Sequence, residues 1–345
     1  MNILLDDISF KNSLFPFGQV RSISHIRIGI LTVFEKWQYF FPGKVFISSE
    51  KLIPEFEENN CIKYPANFIP SFEFLKKLSA QNDKLLFTPD CKILEHPWQI
   101  FEYNNWAITE DFKMITLERK SQPVPPGNQT ISPENIFIEP GASITFSVLN
   151  AENGPIYIGK NSEIDEGSLL RGPISIGEGS RVKMGTKIYG ATTLGPNCLI
   201  GGEIKNSILM ANSNKAHDGY LGDSVIGEWC NLGAGTSNSN LKNNASIVKI
   251  WSKNQNDFIA AGTKCGLIMG DYSRCAINTS FNTGTMVGIC CSIFGNSNPP
   301  KFIDNFSWGD RKYIFEKAVT DIGNWKRLKN KEITESEIQS LKKIY

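Results

Sequence analysis

The sequence predicts a small α/β unit over residues 1–120, a left-handed parallel β-helix over 136–298 and a C-terminal helical cap over 299–345. Three observations lead there. An aliphatic residue falls at every sixth position through Ile158, Ile164, Leu170, Ile176, Val182, Ile188, Leu194 and Ile200. Glycine directly follows several of them, at Gly159, Gly177, Gly195 and Gly201. Proline-rich stretches bracket the repeat: a linker over 121–135 with Pro123, Pro125, Pro126 and Pro133, and the pair Pro299–Pro300, read as the end of the solenoid.

A period of six belongs to neither a helix nor an ordinary half-buried strand. It describes a triangular prism in which one aliphatic residue per hexad points inward and small residues let the backbone turn each corner. Three hexads close one coil. An antiparallel sandwich would instead show period-2 alternation, which is largely missing. The phase is visible earlier at Ile138 and Ile144, and returns at Ile226 and Leu232, then at Met269, Cys275, Phe281, Val287 and Ile293. About seven or eight coils follow, stacked at about 4.8 Å. The register slips near 150–155, in 201–225 and in 239–268, which predicts inserted loops, the usual carriers of sites.

Upstream, Ile3–Leu5 and Val45–Ile47 read as strands, Gly29–Phe41 as helical, and Pro70–Ala80 as a helix with Phe72, Leu75 and Leu78 on one face. Downstream, 311–330 and 334–345 read as helices, the second opened by a capping box of Thr334 and Glu337.

Composition excludes several classes. With 36 Lys+Arg against 35 Asp+Glu the formal charge is +1, so no net field draws the chain to nucleic acid or anionic lipid. No apolar run approaches the roughly 18–20 residues that span a bilayer. Met1–Leu5 is followed at once by Asp6 and Asp7, the reverse of a secretory n-region, and the expectation is a cytoplasmic protein. The eight cysteines contain no CxxC pair and the three histidines are scattered, so they read as reduced, buried thiols and not as a metal site.

The densest polar constellation lies where the register slips: Glu203 and Lys205, then Ala216-His217-Asp218-Gly219-Tyr220-Leu221-Gly222-Asp223, then Ile226-Gly227 and Asn231-Leu232-Gly233-Ala234-Gly235-Thr236, with Asn238 and Asn240 behind. Lys215, Asp218 and Gly219 make the segment around His217 read as an exposed loop. Without further information Lys183 and Lys205 read as solvated lysines, Asn238 and Asn240 as an asparagine ladder at coil corners, and Trp229 as packing.

These motifs, AHxxYLGD and IGxxxNxGAGTxxxN, resemble the acetyltransferase half of the bifunctional UDP-N-acetylglucosamine pyrophosphorylase/glucosamine-1-phosphate N-acetyltransferase family. Arg27-Ile28-Gly29-Ile30-Leu31-Thr32, Glu35-Lys36-Trp37 and Pro97-Trp98-Gln99-Ile100-Phe101 are similar to its divergent, Bacteroidetes-type branch of sugar nucleotidyltransferases. The resemblance implies an acetyl-CoA-dependent transfer to an amino sugar phosphate by a cytoplasmic homotrimer. It gives His217 the part of general base, a task suited to imidazole near neutral pH, with Glu203 orienting it. Asn231 and Tyr220 hold substrate, the backbone N–H of Ala234 meets the thioester oxyanion, and Asn240 contacts acetyl-CoA. Lys205 contacts the sugar phosphate, Lys183 stands where the family has arginine, and Leu241 where it has tyrosine.

The first unit departs from that family. A sugar nucleotidyltransferase opens with a glycine-rich loop that holds nucleotide phosphates, whereas Leu4-Leu5-Asp6-Asp7-Ile8-Ser9 contains no glycine. Asp6, Asp7, Asp83 and Asp90 are available to Mg2+, but nothing in the sequence pairs them. The unit is therefore expected to be a reduced nucleotidyltransferase-like domain. Two alternatives stand beside acetyl transfer: a working nucleotidyltransferase whose solenoid only oligomerises, and a non-catalytic trimeric scaffold that binds a sugar nucleotide. The sequence leaves open the sugar, the nucleotide, and transfer to N or to O.

Overall fold

The computed structural model describes residues 1–50, 61–81, 83, 85–295 and 298–345, with only the backbone of Ser9. The N-terminal unit is built on a three-stranded parallel sheet in which Asn2–Asp6 lies between Val45–Ile47 and Cys61–Pro65. Helices Val33–Phe40, Phe72–Gln81, Gln99–Glu102 and Asn104–Thr116 accompany it. The first of these starts at Thr32, whose hydroxyl accepts from the Glu35 N–H while the Glu35 carboxylate accepts from the Thr32 N–H. The Gly29-Ile30-Leu31 turn before it is held from the Asn104–Thr116 helix. Asn104 Oδ1 accepts from the Gly29 N–H at 2.8 Å, and Asp111 Oδ2 accepts from Ile30 and Leu31 at 2.8 and 3.0 Å. Gly29 has φ +77°, and a Cβ there would sit 2.5 Å from Asp111 Oδ2, so only glycine fits. Asp111 also pairs with buried Lys36. The Arg27–Thr32 and Glu35–Trp37 motifs thus find a structural use.

The second part is a left-handed parallel β-helix of about 10 turns over 129–308. Every hexad residue named from the sequence is buried in one apolar prism core. Paired strands run past both boundaries read from the prolines. Gln129–Ile131 pairs with Val148–Asn150, and beyond Pro299–Pro300 the Phe302–Ile303 strand pairs with Thr285–Val287. Proline lacks an N–H but tolerates extended backbone, so both proline stretches pass through the corners of coils without stopping the ladder.

The three faces are set by register. The first carries Ile156–Ile158, Ile174–Ile176, Thr192–Leu194 and their successors. The second carries Glu163–Ile164, Arg181–Val182, Leu199–Ile200, Asn214–Lys215 and Asn231–Leu232. The third carries Leu169–Arg171, Lys187–Tyr189 and the N-terminal halves of Glu203–Leu209 and Tyr220–Ile226. The slip in 201–225 is a shortened coil, in which those two strands run from the third face onto the first. The slip in 239–268 holds an antiparallel hairpin, Lys249–Ser252 with Asp257–Ala260.

On the first face the outward residues Ile208, Val225, Ile268 and Met286 belong to the core of the N-terminal unit, together with Val248 and Ile250 from the inserted hairpin. Asn104 completes the contact: its amide donates to the Ala191 carbonyl at 2.7 Å, and its Oδ1 also accepts from Thr193 at 3.1 Å.

The C-terminal helices, Phe315–Arg327 and Glu335–Lys342, do not cap the open end of the prism; they run back along its side. Lys329 reaches the carbonyls of Asn197 (2.6 Å) and Asn212 (3.0 Å). Trp229, Tyr272, Cys290 and Phe306 stack at the corner between first and second faces, all with φ between 55° and 61°. Bulky residues avoid that left-handed region. Here the helices bury all four against Ala318, Ile322 and Leu341, and this packing offsets the strain. The Thr334–Glu337 capping box is present.

Candidate functional site

His217 stands two residues past its second-face strand, and the register places it in a corner column with Met184, Gly202, Ala234 and Ile277. Its immediate neighbours along the column are Gly202 and Ala234. The exposed imidazole therefore stands in a notch between two small residues, where other coils place large ones such as Met184 and Ile277. Gly202 has φ +82°, and a Cβ there would lie 2.9 Å from the His217 carbonyl oxygen, so the close approach of the two coils requires glycine. The backbone N–H of Ala234 has no acceptor among the described residues.

Around this corner, on the third face, Glu203 is the direct register partner of Tyr220 on one side and of Lys187 on the other, while Lys205 lies beside Tyr189. Lys205 is exposed and Glu203 and Tyr220 are half-buried. Burial, then the charge of Asp223, pushes the Tyr220 hydroxyl above its ordinary pKa. On the other side of the corner Asn231 lies on the second face, its Oδ1 3.4 Å from the Asn214 amide. The structure thus gathers Glu203, Lys205, Tyr220, Asn231 and Ala234 around His217.

Asn240 donates to the Tyr220 hydroxyl at 3.2 Å and to Asp223, whose other oxygen accepts from Asn206 at 2.6 Å. Asn238 turns inward and bridges the N–H and C=O of Gly222. Only Asn238 behaves as a coil ladder. Glu102 of the N-terminal unit has its carboxyl pushed up by burial and then by Asp223, which brings that unit to the edge of the same cluster. Leu241 pairs with Lys264 at the base of the inserted hairpin.

Lys183 sits at the corner that precedes the third face, its N–H bonded to Ile200, in the coil before Lys205. Of Lys183 and Lys187, it is Lys187 that shares the third face with Glu203 and Lys205. The signal was its place one residue before the inward Ile188, matching Glu203 before Ile204. Lys215 also differs from expectation. It is not part of an exposed loop but is 1% exposed, turned into the prism.

In the N-terminal unit, Asp7 is buried, with its oxygens accepting from Ser48 (3.0 Å) and Ser49 (2.7 Å). Burial opposes its ionisation, but hydrogen bonds from Ser49, Ser22 and Ser48 outweigh it and hold the carboxyl below its ordinary pKa. Asp6 accepts from the Ile8 N–H, and Asp90 is bonded to Ser71 far along the chain. Among the described residues no three His, Cys, Asp or Glu side chains gather as metal ligands. With the Asp7 oxygens held by serine hydroxyls and Asp90 bonded to Ser71 elsewhere, this donor set does not fit Mg2+. No helix among the described residues is long and apolar enough to cross a membrane.

The chain joins a prism of hexad coils to a small parallel α/β unit, and residues 2–70 match the model of the sugar nucleotidyl transferase family. Bifunctional protein GlmU of Methanocaldococcus jannaschii is 41% identical over 91 residues, covering 26% of this chain and 22% of that protein. The bifunctional sugar-1-phosphate nucleotidylyltransferase/acetyltransferase of Sulfurisphaera tokodaii is 31% identical over 201 residues, 57% of this chain and 43% of its own length. The GlmU of Rippkaea orientalis is 26% identical over 243 residues, covering 57% and 54%. The chain is thus similar to GlmU proteins, and it spans about a fifth to a half of the length of these curated relatives.

Proposed function

We propose that the solenoid transfers an acetyl group from acetyl-CoA to the amino group of a sugar phosphate, in the making of nucleotide-activated sugars. The observation that carries the reading is the notch at His217, an exposed imidazole between Gly202 and Ala234 with Glu203, Lys205 and Tyr220 around one corner. The sugar amine attacks the thioester carbonyl while His217 takes its proton, and the coenzyme A thiolate leaves as the tetrahedral intermediate collapses. The free N–H of Ala234 is placed to donate to the oxyanion. Tyr220 and Asn231 flank the sugar, and Glu203 orients the site from the neighbouring coil. Lys205, with Lys187 or Lys183, meets the phosphate as a point charge. Asn240, tied to Tyr220, stands on the coenzyme side.

The names of the relatives support this reading, as does the fold. A homotrimer packed through uncovered faces of the prism belongs to it, with exposed Phe146, Met184, Ile277 and Phe294 near the second-to-third corner as contact residues. Nucleic acid and membrane play no part in it. The match of residues 2–70 favours a second reading, nucleotidyl transfer by the N-terminal unit.

Incubation with acetyl-CoA and glucosamine 1-phosphate, and separately with UTP, Mg2+ and N-acetylglucosamine 1-phosphate, tests both. Coenzyme A release in the first arm alone is the expected result. Pyrophosphate release in the second alone would replace the proposal, and turnover in neither, with sugar nucleotide bound, would leave a trimeric scaffold.

A further inference from the structure

Lys215 occupies a position that the fold reserves for apolar side chains. On the second face the inward residues are Ile144, Ile164, Val182, Ile200, Leu232, Cys275 and Ile293, all in the prism core, and register places Lys215 between Ile200 and Leu232. An aliphatic side chain would fill the space without the cost of burying a charge. The amine is not idle. Nζ donates to the carbonyl oxygen of His217 at 2.5 Å and to that of Gly201 at 3.2 Å, so it ties the corner bearing the imidazole to the coil beneath.

We propose that Lys215 is a positioning residue, which from inside the prism clamps the backbone of His217 and fixes the direction in which the imidazole leaves the corner. The inference rests on the acetyl-transfer reading of the site and deepens it. Such a clamp is needed here more than at other corners. The coil is shortened, and Gly202 and Gly219 both have positive φ. Glycines on both sides leave the backbone of the corner free to move unless something holds it. Burial pushes the amine down to about 8, against the opposing influence of Asp218 and of the Cys275 thiol, so the strength of the clamp changes in the alkaline range.

The test compares the wild type with Lys215→Met, whose apolar side chain suits the inward position. Two readouts are taken: steady-state kinetics with acetyl-CoA and glucosamine 1-phosphate, and hydrogen exchange of the Glu203 and Gly235 amides, which donate to the Gly219 and Asp218 carbonyls of this corner and report without turnover. The expected result is a fall in kcat of about tenfold or more with both KM values nearly unchanged, no loss of thermal stability, and about tenfold faster exchange at the corner. A variant with wild-type kcat and wild-type exchange overturns the proposal. If the wild type transfers no acetyl group, the site reading fails separately and the exchange result alone decides whether the clamp exists. If the variant does not fold, wild-type protection of the same amides from pH 7 to 9 decides. Protection that weakens as the amine loses its proton supports the clamp, and protection independent of pH sinks it.

Discussion

Replacing Asp111 by alanine should dismantle the N-terminal unit while leaving the prism formed. Asp111 is buried, holds buried Lys36, and accepts from the N–H groups of Ile30 and Leu31. Removing one partner of a buried ion pair costs about 3–5 kcal/mol, since the other charge is left without compensation. Each orphaned N–H adds about 1–3 kcal/mol, less for Leu31, which water reaches. The total, roughly 5–8 kcal/mol, is comparable with the stability of a whole domain. Asp111→Asn keeps the one oxygen that accepts from both N–H groups and should lose about half as much, and Lys36→Met less again, because the carboxylate retains two donors. The assay is limited proteolysis within 1–120 together with urea unfolding. Buried Trp37, next to Lys36, reports the unit, and far-ultraviolet dichroism reports the prism. Asp111→Ala within about 1 kcal/mol of wild type would refute the reasoning.

His217→Ala should lower acetyl transfer by about 10²–10⁴-fold with fold and assembly unchanged, because the side chain is exposed and contributes nothing to the prism; steady-state rates and sedimentation check this. Lys187→Ala should raise KM for the sugar phosphate about 10–100-fold and leave KM for acetyl-CoA alone, whereas Lys183→Ala, one corner away, should change either KM by less than twofold. The reverse order would return the phosphate to Lys183. Lys215 has a folded-state pKa of about 8 against an ordinary 10.5, so above pH 8 the unfolded chain binds more protons than the folded one and stability should rise with pH up to about 10.5. The amount is roughly 3 kcal/mol. Urea midpoints measured from pH 7 to 10 should show that slope in the wild type and lack it in Lys215→Met.

The prism was legible because its signal is periodic and local. One inward aliphatic residue in six is enforced by every coil, so eight successive positions from Ile158 to Ile200 announce it. Much of the candidate site was legible for the opposite reason: where the period fails, polar residues replace the hexad pattern, and His217, Glu203 and Tyr220 stand there together. Two kinds of information were hidden. Whether a lysine in a slipped register faces in or out depends on the length of the shortened coil, so Lys215 looked exposed although it faces inward. Contacts distant in sequence were also hidden. The apolar column Ile208, Val225, Ile268 and Met286 is visible once the register is known, but only the fold shows that the N-terminal unit covers it.

That cover restricts how the solenoid can be used. On the coils that carry the candidate site, the first face is buried under the N-terminal unit, and the corner between first and second faces is buried under the C-terminal helices through Trp229, Tyr272, Cys290 and Phe306. The corner between second and third faces stays open, whereas the second face is edged by Lys329, bonded to Asn214, and by Trp325, stacked on Arg274. His217, Ala234 and Lys205 lie on this open part, and so do the exposed apolar side chains of Phe146, Met184 and Ile277. Under the proposed function, a substrate at His217 and a second copy of the chain would share one side of the prism, where a neighbour's surface would wall the notch that Gly202 and Ala234 leave open. The N-terminal unit has a purpose in this arrangement whatever chemistry it carries. Loss of its fold would bare the outward column from Ile208 to Met286, a continuous apolar strip that would compete with the open side for partners.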